Sequence, residues 1–158
     1  FNQQHLHKVD SRVVELSLDA LLQERGISPA QESTAAVVAL VQDRLTLLTD
    51  LWDEAYFFFV APVQYDEKAI RKQWKEETPE ILTAVMKIIE RASNTQPETL
   101  STQIKSWAHE NGVKLGMIMA PLRVALVGAL KGPDVFAICS ALGRAECVRR
   151  IATAIEKN

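Results

Sequence analysis

The run Lys114-Leu115-Gly116-Met117-Ile118-Met119-Ala120-Pro121-Leu122-Arg123-Val124-Ala125-Leu126-Val127-Gly128 leads on to Gly132-Pro133-Asp134-Val135-Phe136. From Leu115 to Val127 the apolar residues are too dense for a helix with one wet face, so the segment reads as a central, enclosed helix of a helical domain. Arg123 is the exception inside it. An unpaired buried guanidinium costs several kcal/mol, so Arg123 must pair with a carboxylate or point from the end of the core toward an anionic or polar ligand. The residues that follow can receive such a ligand. Gly132 suits an N-cap, Pro133 the first helical position, and the N–H groups beyond them attract phosphates and base acceptors, with Val135 and Phe136 adding apolar surface. The alternative is a buried helix, a turn and a further helix, with Arg123 in an internal salt bridge.

Outward from this run the chain keeps reading as helix. Thr78-Pro79-Glu80 is a helix start, with Thr78 as N-cap, followed by Ile81, Leu82, Val85, Ile88 and Ile89 at helical spacing. Pro97 opens another helix with Leu100, Ile104, Trp107 and Ala108 as its packing stripe, ended by Asn111-Gly112. A last helix runs from Arg144 to about Glu156, with Val148, Ile151, Ala152 and Ile155 inward and Arg149 and Arg150 outside. Toward the beginning, Asp10 or Ser11 can cap a helix that buries Val13, Val14, Leu16, Leu18, Leu21 and Leu22 and ends at Arg25-Gly26. Ser28-Pro29 starts the next, which carries Ala35, Ala36, Val37, Val38, Leu40 and Val41 up to Asp43-Arg44-Leu45. Phe1 to Leu6 reads as the end of a short helix, and Asp66 to Trp74 as a short exposed one. Nothing reads as a strand, so the fold class is all-α.

At 158 residues, 47% hydrophobic and 24% charged, the chain has the composition of a globular protein of one domain or two small ones. No apolar run reaches the roughly 18 residues of a membrane span, so no membrane partner is expected. Phe1 is no initiator and no signal pattern precedes it, which suggests a piece of a longer protein. The net charge of −2 argues against indiscriminate nucleic-acid binding, but its distribution is uneven. Residues 1–100 carry 10 Lys/Arg against 16 Asp/Glu, whereas residues 101–158 carry 8 against 4, so a local basic surface can still meet phosphates. Cys139 and Cys147 read as reduced thiols.

Catalytic and metal constellations are missing from the pattern. His5 and His7 cannot share a helix face, His109 is isolated, and no carboxylate or Cys/His set has metal-ligand spacing. There is no Gly-rich phosphate loop and no nucleophile–base arrangement. Arg44 stands near a helix junction, as a solvated charge paired with Asp43, Asp50 or a neighbouring helix, or as a ligand contact. Tyr56-Phe57-Phe58-Phe59 cannot all stack on one RNA strand; most of these rings read as core or hinge.

Val113-Lys114-Leu115-Gly116, Pro121-Leu122-Arg123-Val124-Ala125-Leu126-Val127-Gly128, Gly132-Pro133-Asp134-Val135-Phe136 and Leu142-Gly143, at this spacing, resemble the C-terminal anticodon-binding region of bacterial glutamyl-tRNA synthetases. The resemblance covers the whole chain and is strongest from Val113 to Gly143. It implies an all-α cage of two lobes, residues 1–60 and an anticodon-binding lobe of residues 61–158. It also implies anticodon contacts at Arg44, Arg123, Gly132, Pro133, Val135 and Phe136, where Arg44 matches the arginine that reads an anticodon cytosine. Where relatives often have Thr, this chain has Val127 and Gly132. The implied partner is the anticodon loop of glutamate tRNA, with no DNA and no membrane, for a monomeric, cytoplasmic enzyme. ATP and Mg²⁺ would act on a separate catalytic domain; the His-Ile-Gly-His and Lys-Met-Ser-Lys-Ser motifs of that domain are not in this chain, which should need no cofactor and be inactive alone. A helical protein–protein scaffold is the competing reading of the same composition.

Overall fold

The structure, a computed structural model, describes residues 11–27, 31–45 and 47–158. Among the described residues every regular element is helical. The expected helix over residues 1–6, the Asp10 cap and the Ser28-Pro29 helix start lie outside them. The chain divides into two compact units, Phe1–Val60 and Ala61–Asn158.

In the first unit, α1 (Ser11–Glu24), α2 (Gln31–Val41) and the short α3 (Leu51–Ala55) pack together. Among the described residues, short 3₁₀ turns accompany them at Gln42–Arg44, Leu48–Asp50 and Tyr56–Phe58. The buried face of α1 is Val14, Leu18 and Leu22, one residue per turn. Val13 and Leu16 were expected inside but are exposed, because a 3.6-residue period cannot turn them to the same side as Val14 and Leu18. On α2, Val37, Val38 and Val41 are buried while Ala35 and Ala36 face water. Phe57 and Phe58 are core, their rings 4.7 Å apart, and Tyr56 meets Phe57 edge-on at 5.6 Å.

The second unit is assembled around α7 (Gly116–Val127), which packs on α4 (Glu67–Gln73), α5 (Thr78–Arg91), α8 (Val135–Leu142) and α9 (Arg144–Lys157). Ile118, Leu122, Val124, Ala125 and Leu126 of α7 are fully buried, each worth up to about 1.5–3 kcal/mol for the larger side chains. Helix α6 (Pro97–Glu110) packs on α5 and α8. Proline stands in the first turn of both α5 and α6, where its missing N–H costs nothing. Thr78 does not cap α5 forward as expected. Its hydroxyl accepts the Lys75 N–H at 2.7 Å instead, so Thr78 is the first helical residue and fastens the preceding turn. Helix α7 ends at Gly128, whose φ of 91° is the left-handed cap. A Cβ there would lie 2.9 Å from Pro62 Cβ and 3.0 Å from the Gln64 carbonyl, and the Gly128 carbonyl itself accepts the Asp66 N–H at 2.8 Å.

The inward face of α9 is rotated from the expected one. Cys147, Arg150, Ile151 and Ala154 are buried, while Ala152 is exposed and Val148 and Ile155 are half-buried. The expected face was drawn through aliphatic residues only; the structure puts a charged one, Arg150, into it.

Candidate functional site

The corner between α7 and α8 is organised by Arg123. This side chain is half-buried near the C-terminal end of α7, and its Nη1 donates to the carbonyls of Lys131 (3.1 Å), Gly132 (3.1 Å) and Pro133 (2.6 Å). Three carbonyl dipoles converge on one guanidinium nitrogen, partners that the sequence reading did not include. Gly132 has a φ of 104°, in the region where a β-branched residue is strongly disfavoured. Lys131 and Asp134 are exposed around it, and Gly132 and Pro133 are half-buried.

The start of α8 differs from the expectation in a way that changes its chemistry. Asp134, not Gly132, is the N-cap, and its carboxylate accepts from the Phe136 and Ala137 N–H groups, each at 3.1 Å. The reason is local: aspartate in the extended conformation can reach the N2 and N3 donors, whereas glycine has no acceptor to offer. Pro133 therefore precedes the cap rather than opening the helix. Two N–H groups expected to face an incoming phosphate are thus already satisfied by an anion. The corner presents a carboxylate and a backbone turn, which suit donors such as base amino groups better than phosphate oxygens. Val135 and Phe136 were expected to add apolar surface, but they are 0% and 3% exposed. Their side chains support the corner from beneath, because the apolar side chains of the first turn of α8 are drawn into the core shared with α6, α7 and α9. Asp134 was the residue that sequence reasoning passed over; an aspartate directly before an apolar helical run is the N-cap signal that marks it.

Arg44 closes the 3₁₀ turn Gln42–Arg44 in the other unit. Its Nε donates to Glu54 Oε2 of α3 at 3.3 Å, and the pair is 42% and 29% exposed at the two side chains. A pair this exposed contributes about 0–1 kcal/mol to stability. The contact is made through Nε and ties the guanidinium to α3. Glu54 had not been singled out. The sequence offers Asp43, Asp50, Asp53 and Glu54 within ten residues, and spacing does not choose among them.

A second cationic cluster forms on α9. Arg150, 3% exposed, donates through Nε to Glu146 Oε2 at 2.7 Å and through Nη1 to the Leu126 carbonyl at 2.8 Å, satisfying the end of α7. Arg149, on the solvent side, donates to the other Glu146 oxygen. Arg150 thus leaves the class of solvated charges to which the sequence assigned it, because the orphan carbonyl of α7 and the Glu146 carboxylate provide its burial site. Beside it Tyr65 has a buried hydroxyl; burial pushes its pKa up, partly offset by the positive charge of Arg150. Among the described residues no three His, Cys, Asp or Glu side chains are grouped to hold a metal ion.

Comparison with known proteins places this geometry in a family. Residues 12–155 match the family model described as an anticodon binding domain. A glutamate–tRNA ligase of Porphyromonas gingivalis strain W83 is 39% identical over 156 residues, 99% of this chain and 31% of that protein. One from Flavobacterium johnsoniae is 39% identical over 155 residues, with 98% and 31% covered. The crystal structure of a glutamate tRNA ligase from Elizabethkingia meningosepticum in complex with its amino acid superposes with a TM-score of 0.90 at 32% identity, covering 98% of this chain and 31% of that one. The chain thus spans about 31% of the length of the curated relatives it matches. With a match that runs from Arg12 in α1 to Ile155 in α9, through both units, the chain belongs to the anticodon-binding domain family.

Proposed function

We propose that this chain is the anticodon-reading part of a glutamate–tRNA ligase, whose remainder would use ATP and Mg²⁺ to attach glutamate to its tRNA. The observation that carries the reading is the alignment of nearly the whole chain with ligases at 39% identity, over the part of them that the family model describes as anticodon-binding. The competing scaffold reading has no observation in its favour. In this reading the protein works as a monomer in the cytoplasm, and residues 61–158 form the principal anticodon-binding lobe, with residues 1–60 contributing Arg44.

The residues divide the work by what they can donate and accept. Arg44, tied to α3 through Glu54, offers two parallel N–H donors to O2 and N3 of an anticodon cytosine, whereas guanine would oppose them with its N1 and N2 donors. A wrong base costs on the order of 1–3 kcal/mol, by analogy with bidentate readout in DNA. At the other contact, Gly132 and Pro133 offer backbone at close range, with Asp134 as an acceptor for base amino groups. Arg123 holds that backbone in place, and Val135 and Phe136 act from below rather than by touching RNA.

Two measurements test this. The chain, at stated salt, should bind the anticodon stem-loop of glutamate tRNA and discriminate against a scrambled loop. In the full-length enzyme, Arg44→Gln should raise the kcat/KM for glutamine tRNA relative to glutamate tRNA more than it lowers total activity, since glutamine can donate or accept. An unchanged ratio would reduce Arg44 to a surface charge, and equal binding of both loops would sink the anticodon assignment.

A further inference from the structure

Helices α5 and α6 leave between them a groove of about 480 Å³, within the roughly 300–1,000 Å³ typical of small-molecule sites. Its walls come from residues 84–91 of α5 and 102–110 of α6, so it is about 10–12 Å long. Neither wall belongs to the Arg123 corner or to the Arg44 turn.

The lining has three kinds of surface. Ile88 and the indole of Trp107 are half-buried, although Leu100, Ile104 and Ala108 on the same helix are sealed in the core. Trp107 was expected to complete that packing stripe and instead flanks the groove. Lys87 and Arg91, at i and i+4 on α5, stand side by side and exposed, and neither side chain makes an ion pair or hydrogen bond with another described residue. Like charges at this spacing repel, and an anion between them turns that repulsion into attraction. On α6, Gln103 and Ser106 line the groove with amide and hydroxyl groups that no described residue engages, and Glu110 lies at the end of the helix.

We propose that the α5–α6 groove binds a single nucleotide unit, its base against Trp107 and Ile88, its phosphate on Lys87 and Arg91. Every base has a face that stacks on an aromatic ring, and the phosphate is the anion the two cations call for. Gln103 and Ser106 meet base-edge donors and acceptors, and the Glu110 carboxylate accepts from a ribose hydroxyl or a base amino group. A docked protein helix is the poorer fit, because it needs apolar side chains recurring over several turns, and the only large apolar side chains of this lining are Ile88 and Trp107. A duplex fits worse still, since its bases have no free face to stack. The unit can be a free nucleotide or an unpaired nucleotide of an RNA chain.

The test is nuclear magnetic resonance titration of the chain with the four nucleoside 5′-monophosphates, inorganic phosphate, a single-stranded hexaribonucleotide and an acidic amphipathic peptide. Saturable amide shifts in residues 84–91 and 102–110 with nucleotides are expected. The Lys87→Glu/Arg91→Glu double variant, changed only at exposed sites, should weaken binding at least tenfold with an unaltered far-ultraviolet spectrum. Trp107→Leu should weaken nucleotides and leave the response to inorganic phosphate unchanged. Binding of the monophosphates assigns a free nucleotide, and binding of the hexanucleotide alone assigns an RNA chain. Equal affinity for inorganic phosphate, response to the peptide alone, shifts that survive the charge reversal, or no saturable shift would each overturn the proposal. The anticodon reading fails separately, through Arg44 and the stem-loop.

Discussion

Arg149 and Arg150 share one carboxylate from opposite sides, and that arrangement fixes how Glu146 responds to pH. Burial alone raises its carboxyl pKa, but the hydrogen bonds from Arg150 and Arg149 outweigh burial and hold it below the usual glutamate value. In the unfolded chain the group returns to about 4.3, so on acidification the unfolded state takes up the proton first. The stabilisation is complete above that pH and is lost as pH falls through the depressed folded value. Glu146→Gln leaves a buried guanidinium without its counter-charge. It should cost about 2–3 kcal/mol at pH 7, less than a fully buried pair because Glu146 is 24% exposed. Urea denaturation at pH 7 and pH 3 checks this: the difference between wild type and variant should shrink at the lower pH, and a constant difference would remove Glu146 from the acid response.

At the scale of elements, the helices were legible because Pro79 and Pro97 sit in first turns and Gly26, Gly112, Gly128 and Gly143 end helices or separate them with positive φ. What spacing did not supply was the partner of each polar group. Thr78 fastens the turn behind it and Asp134 displaced Gly132 as the cap of α8, each through backbone N–H groups within three residues, whereas α9 was turned by a buried arginine whose acceptor, the Leu126 carbonyl, comes from another helix. The candidate residues on the α7–α8 corner were singled out from apolar density and helix-start chemistry and given an anticodon role by resemblance, but their division into clamp, cap and buried support depends on distances that no sequence contains. Gly128 tests the element level directly. Gly128→Ala must adopt a left-handed backbone and press on Pro62 and Gln64, so a loss of about 2–4 kcal/mol is expected. Gly116→Ala, in α7 with open space around it and no positive φ, should be neutral or gain up to about 1 kcal/mol. Equal denaturation midpoints for the two variants would refute the account of the α7 end.

Over the whole chain, charge is divided between the units. Residues 1–60 hold 4 Lys/Arg against 9 Asp/Glu, and residues 61–158 hold 14 against 11. A polyanion is therefore drawn chiefly to the second unit, with Arg44 a local exception in the first. Global cooperativity has its own probe in Cys139 and Cys147, both fully buried and free, with the Cys147 thiol donating to the Cys139 carbonyl at 3.3 Å. The Cys139 thiol is held well above the ordinary range by its hydrogen bond with Cys147, by burial, and by the nearby charge of Asp134. Alkylation of the native protein should proceed only as fast as the second unit opens, and accelerate in step with urea unfolding. Rapid labelling of either thiol under native conditions would show that α8 and α9 separate independently of the rest.

Arg123 holds Lys131, Gly132 and Pro133 through their carbonyl oxygens, atoms that every amino acid possesses. Such a clamp is indifferent to the identity of the residues it holds, provided each can take up the required backbone angles. The side chains at this corner are thereby released to change without moving the frame that displays them. A surface of that kind can be retuned one residue at a time, like type reset in a locked chase, while the arginine that locks it stays fixed.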